Sequence, residues 1–218
     1  MRYGLTVDVA PAAEPVLTAD AKEHLRVEIT TDDDYIDTLV ASARDFVEDH
    51  LQRKLITQTL DMTLDRFPPS LSFVSLHHNH HHHDHALGHD PSIYLPRSPV
   101  QSITSIKYID DAGVEQTLAV GKFKLDTKSL VARVVPAFGE EWPTTRAEIN
   151  AVTVKFVVGY GAAGADVPAA IIHAIKLLVG TFYDPVRATV IVGSATKMPD
   201  AADFLLGPFR VATRAGSY

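Results

Sequence analysis

The chain has 218 residues, of which 46% are hydrophobic and 22% charged, with 20 Lys and Arg set against 27 Asp and Glu, and no Cys. Such a composition supports a packed core in one large domain or two small ones and excludes disorder along the whole length. The absence of Cys excludes disulfides, thiol nucleophiles and Cys-ligated zinc, and a formal net charge of −7 runs against a protein whose main task is to grip nucleic acid.

The first residues contain no continuous apolar stretch of the kind a signal peptide needs. Residues 1–16 read as an arm, because Pro11, Pro15 and scattered Ala give no periodicity. Thr18 reads as the N-cap of a short helix over 19–27. Thr31-Asp32-Asp33-Asp34 then has the capping-box pattern and sets three carboxylates at the positive end of a second helix. In that helix Ile36, Leu39, Val40, Ala43, Phe46, Val47 and Leu51 recur at spacings of three and four, a single apolar stripe that ends near 51–54.

From Thr57 the period changes to two. Leu60, Met62 and Leu64 alternate with Asp61, Thr63 and Asp65, which predicts a half-buried strand closed by Pro68-Pro69. Further strands are predicted at 92–95, around Ile103–Ile109 before the turn Asp110-Asp111-Ala112-Gly113, and at 116–120 and 122–126 as a continuing meander. The β-branched runs 130–135 and 151–158 are expected to pair with each other. After Gly159-Tyr160-Gly161, Asp166 and Pro168 open a long helix over 166–184. Its face of Ile171, Ile172, Ile175, Leu178, Val179 and Phe182 is wide enough to need more than one neighbour. This most apolar helix carries His173 and Lys176 and is too short to span a bilayer. A short helix at 201–206 is expected in the tail 185–218.

Helices, then strands, then a helix predict an α+β fold, not alternating βαβ units. The expected plan is a single domain over 1–218. It has an N-terminal arm (1–16), helices (17–56), an inserted antiparallel β region (57–158), a long helix (166–184) and an extended C-terminal tail (185–218), with the first and last helices packed together.

Eight of the 11 His fall in one stretch, at His77, His78, His80, His81, His82, His83, His85 and His89. Neutral imidazole is a good ligand for zinc, nickel or copper, so these eight are candidate metal ligands and a metal-binding module built on 77–89 is the alternative function; the plain reading is a solvated low-complexity loop. Gly159, Gly161 and Gly164 spell G-x-G-x-x-G between a strand and a helix, but no parallel strand with a terminal acid follows. A glycine turn closing the strand-to-helix junction is the better reading. The pairs Asp110-Asp111 and Glu140-Glu141 read as solvated turns, Trp142 as a packing anchor and His173 as structural. Arg97, Arg133 and Arg146 are scattered cations with no phosphate-binding cluster. No catalytic residue and no cofactor are expected.

Several segments together resemble the head–tail connector (adaptor) proteins of tailed phages, with relatives in prophages and gene transfer agents. They are Leu55-Ile56-Thr57-Gln58-Thr59 after the long helix, the run from Leu95-Pro96-Arg97-Ser98-Pro99-Val100 to Ile106-Lys107-Tyr108, Pro136-Ala137-Phe138-Gly139 with Trp142-Pro143, Asn150-Ala151-Val152 leading to Gly159-Tyr160-Gly161, and the start Val167-Pro168. The closing 205–211 segment completes a resemblance that runs from about 17 to 211. It implies a non-enzymatic virion protein: a homo-oligomeric ring, often of twelve copies, that sits under the portal protein at the neck. Such a ring extends the DNA channel and receives a stopper or tail protein. It implies assembly in the bacterial host cytoplasm and no membrane. By position, Phe204, Leu205, Leu206, Phe209, Arg210 and Arg214 are the expected portal contact. A lumen that lets DNA pass without sticking is expected to be lined with acidic side chains. Two departures stand out: Gln52 occupies the helix end where the family often has Gly, and the His stretch is not a family feature.

Overall fold

The two ends of the chain build one helical layer and its middle builds the sheets. The computed structural model describes residues 3–69, 90–183 and 200–211. The helices are α1 (Thr18–Leu25), α2 (Asp33–Leu51), α3 (Ala169–Tyr183) and α4 (Asp200–Leu206). The expected stripe of α2 is buried, with Ile36, Ala43, Val47 and Leu51 at zero exposure; Phe46, at its margin, stays partly in solvent. It packs against Ile171, Ala174, Ile175 and Val179 of α3, and Ala202 and Leu206 of α4 complete the same core. So α3 does need more than one neighbour: it is packed on α1, α2 and α4. The fold is α+β, as the order of periodicities predicts.

The strands are β1 (Tyr3–Val9), β2 (Gln58–Leu64), β3 (Ile93–Tyr94), β4 (Val100–Ile109), β5 (Glu115–Thr117), β6 (Phe123–Asp126), β7 (Arg133–Pro136) and β8 (Val152–Val158). They form a five-stranded sheet in the order β1-β2-β8-β4-β5 and a three-stranded sheet in the order β3-β7-β6, with every pairing antiparallel. Alternate residues of β2 and β8 face a second core. Leu60, Met62, Leu64, Val152, Val154, Phe156 and Val158 meet Ile93, Leu95 and Val134 of the smaller sheet there. Trp142 anchors this core as expected, stacked on Phe67 at 4.8 Å with its indole N–H donating to the Pro91 carbonyl at 2.7 Å.

The structure corrects four readings. Residues expected as an unpatterned arm include β1, whose register runs from Tyr3 opposite Leu64 to Val9 opposite Thr59. An exposed edge strand lacks the alternation that reveals a half-buried one; here Lys155 of β8 reaches across β2 to Asp8 at 2.8 Å and pins it. The runs 130–135 and 151–158 do not pair: β8 lies between β2 and β4, and β7 between β3 and β6. β-branched composition marks a strand without naming its partner. For the same reason the meander stops at β5, and β6 belongs to the other sheet.

Helix capping is the fourth correction. Thr18 is the first residue of α1, and its hydroxyl donates to Asp37 of α2. At α2, Asp32 accepts from the Tyr183 hydroxyl at 2.6 Å and Asp33 pairs with Lys22 at 2.6 Å. These carboxylates tie α2 to α3 and α1 instead of capping their own helix. At the other end Gln52 itself takes the left-handed conformation (φ 56°) that Gly would adopt freely. Its amide side chain donates to the Asp49 carbonyl at 2.8 Å, a contact Gly lacks.

Candidate assembly interface at the carboxyl-terminal segment

The end of α2 is where three distant segments meet. Glu48 is 1% exposed; its two carboxylate oxygens accept from the Leu55 backbone N–H at 2.9 Å and the Lys54 ammonium at 2.6 Å. Arg97 (φ 65°), in the loop before β4, pairs with Asp49 at 2.9 Å and donates to the Glu48 carbonyl at 3.3 Å. The Lys54 N–H donates to the Ser98 carbonyl at 3.2 Å. The chain after α4 closes the cluster: Val211 N–H donates to the Leu51 carbonyl at 3.1 Å, and the Arg53 guanidinium donates to the Phe209 carbonyl at 2.6 Å. The helical layer, the sheets and the C-terminal segment are therefore locked at one junction.

That junction decides which candidate portal-contact residues face outward. Phe204 is 83% exposed and Arg210 is exposed, so both are available to a partner. Leu205 and Phe209 are half-buried against the helical core, and Leu206 is wholly inside it. Arg214 lies outside the described residues. Helical spacing alone did not separate these: Ala202 and Leu206, four apart, point inward and leave Phe204 between them facing out. Asp203 pairs with His50 of α2 at 3.5 Å, and His50 stacks on the partly exposed Phe46.

The eight candidate metal ligands His77, His78, His80, His81, His82, His83, His85 and His89 lie outside the described residues. Among the described residues, no group of three or more His, Asp or Glu is placed to hold a metal. The next residue after that stretch, Asp90, accepts from the Ser92 N–H at 3.0 Å and from the Tyr94 hydroxyl. Partial burial works to raise its pKa, but these hydrogen bonds prevail and hold it below the usual carboxylate value.

The three glycines of the fingerprint spacing are filled by the protein's own chain. A Cβ on Gly159 (φ +118°) would lie 2.6 Å from the Ile56 carbonyl, one on Gly161 2.1 Å from the Asp166 carboxylate, and one on Gly164 2.2 Å from the Pro15 carbonyl. This is a junction closed by backbone packing, with no room for a pyrophosphate. The acidic pairs are turn residues: Asp110 accepts from the Ala112 and Val114 N–H groups, and Glu140 pairs with Lys122 at 2.7 Å. Arg133 is held by Asp126 at 3.2 Å and Arg146 by Glu148 at 3.5 Å.

His173 of α3 meets His24 of α1 edge-on at 6.2 Å. Desolvation, then the nearby His173 and Lys176, lower the His24 pKa from its ordinary 6.5. A group whose folded pKa is depressed contributes stability above its unfolded pKa and loses it as pH falls through the folded value. His24→Gln is therefore expected to flatten the drop in Tm between about pH 7.5 and about pH 5.5. Parallel melting profiles for the two proteins would contradict this.

With this geometry in place, the chain can be compared with known proteins. Residues 18–110 match the family of phage gp6-like head-tail connector proteins. The head-tail connector match spans α1 to the end of β4, which includes the Glu48 junction. Likeness of fold to solved structures extends over the remaining residues. A subunit of the neck of an empty gene transfer agent particle, computed with C6 symmetry, superposes with a TM-score of 0.74 at 21% identity over 98% of either chain. A subunit from the virion of a native gene transfer agent particle gives 0.72 at 20% identity, again over 98% of each. One from the neck of the native particle computed with C12 symmetry gives 0.64 at 21% identity, over 100% of this chain and 99% of that one. No curated protein matches the chain in sequence. No described helix is long and apolar enough to cross a membrane.

Proposed function

We propose that the protein is a structural head–tail connector, a subunit of a homo-oligomeric ring at the neck of a phage-like particle. The observation that carries this reading is the end-to-end likeness to subunits of necks described with C6 and C12 symmetry, at 98% coverage or better in both directions. In this reading the ring joins the portal protein on one face to a stopper or tail protein on the other, and it assembles in the cytoplasm of a bacterial host. The protein acts through its surfaces and catalyses nothing. Phe204 and Arg210, displayed by a C-terminal segment that is itself bolted to α2, are suited to the portal contact.

DNA passes through the ring without sequence-specific binding. The outer face of α2 carries exposed Asp34, Asp37, Asp45 and Asp49; Arg44 pairs with Glu14 at 2.9 Å and with Asp45 at 3.3 Å, and Arg97 pairs with Asp49, which leaves the face acidic on balance. A wall of this sign repels phosphates, and we assign it to the channel lining. The test is electron microscopy of the purified protein mixed with the portal protein of the same particle. Rings seated on the portal, with α2 toward the axis, are the expected result. A chain that stays monomeric and leaves the portal bare overturns the reading.

A further inference from the structure

One aromatic side chain stands in water on a well-fixed turn. Phe138 is as exposed as in an extended peptide (107%), yet it sits at the apex of a well-formed turn. The Glu140 N–H donates to the Ala137 carbonyl at 2.9 Å and Gly139 has φ +78°, which makes Ala137–Glu140 a type II turn with Phe138 at its first corner. The base of the turn is fixed twice, by the Ala137 N–H on the Lys122 carbonyl at 2.9 Å and by the Lys122–Glu140 ion pair at 2.7 Å. Val120, 80% exposed, lies in the short helical turn that ends at Lys122. An exposed aromatic on a pre-formed turn loses little backbone entropy when it docks, which suits an interface anchor.

The same chain carries a matching recess. A groove of about 740 Å³ runs between the segment before α1, the loop after β8 and the outer face of α3, with Leu17, Val167 and Ile172 among its walls. Leu17 is 62% exposed, so this apolar surface is uncovered. Lys176 on its wall has no carboxylate partner among the described residues, and neither does Glu141, beside the Phe138 turn, have a cation. The turn follows β7 of the smaller sheet, and Phe138, wholly exposed, is not seated in the groove of its own chain.

We infer that the Phe138 turn of one copy seats in the groove of the next, with Glu141 meeting Lys176. This deepens the ring reading and rests on it, because two different patches joined head to tail are the contact a closed ring requires. The Cys-free sequence allows a direct test. An Ala137→Cys, Ala169→Cys double variant, which keeps Phe138, is oxidised in concentrated solution. The expected product is a ladder of cross-linked oligomers, roughly tenfold stronger than that of a Phe204→Cys, Ala169→Cys control. Lys176→Glu in the double variant should weaken the ladder severalfold, and adding Glu141→Lys should restore it. A ladder no stronger than the control, or one indifferent to both charge reversals, overturns the inference. The ring reading is judged separately by the wild-type protein on the portal: rings there without the cross-link sink the inference alone.

Discussion

Glu48→Ala is expected to destabilise the protein by about 2–3 kcal/mol, seen as a fall in Tm of about 5–10 °C for a chain of this size. Removing the carboxylate leaves the Leu55 N–H buried without an acceptor and strips Lys54 of its partner. The upper end of the usual cost for breaking a buried pair is not reached, because the Lys54 side chain is 18% exposed and its ammonium can recover water. Glu48→Gln keeps an acceptor for Leu55 and should lose only about half as much. The double variant Glu48→Ala, Lys54→Met should regain part of the loss, since the orphaned charge is gone. Thermal melts of the three variants check this; equal losses for Ala and Gln would show that the carboxylate does not act as the acceptor described.

Gly159→Ala is expected to cost about 3 kcal/mol, measured by chemical denaturation. Two effects add. A φ of +118° is outside the range an L side chain adopts comfortably. The new methyl would also meet the Ile56 carbonyl and the Thr57 nitrogen at 2.6 Å, and these are backbone atoms that cannot swing aside. Thr57 N–H already donates to the Gly161 carbonyl at 2.8 Å, and Gly159 N–H to the Pro99 carbonyl at 2.9 Å, so any shift of the loop breaks further bonds. A loss under about 1 kcal/mol would mean that the loop relaxes freely and that the close approach is not structural.

What was legible in the sequence depended on burial. The stripe of α2, the alternation of β2 and the broad face of α3 are each read out by a core, so their periodicities are strong. β1 is exposed along almost its whole length, and nothing in its sequence records a strand whose partner β2 lies 50 or more residues later. Strand partners in the β region were illegible for a related reason: Val134 and Val154 are equally β-branched and equally buried, and only tertiary packing sends them to different sheets. Of the C-terminal candidates, residue type suggested an interface, but only the anchoring of Val211 and Arg53 showed that Phe204 faces out while Leu206 is spent inside. Phe138 was noticed as part of a resemblance, and its exposure could not be foreseen from a Pro-Ala-Phe-Gly run.

The division of the helical core between the two ends of the chain governs its birth on the ribosome. The apolar face of α2 is complete once Leu51 emerges, but its partner α3 begins only at Ala169, 118 residues later. At about 5–20 residues per second, that face waits between roughly 6 and 24 s for its cover. A polypeptide that stops short of α3 has no cover for this sticky face, so burial of the helical core is tied to completion of the chain.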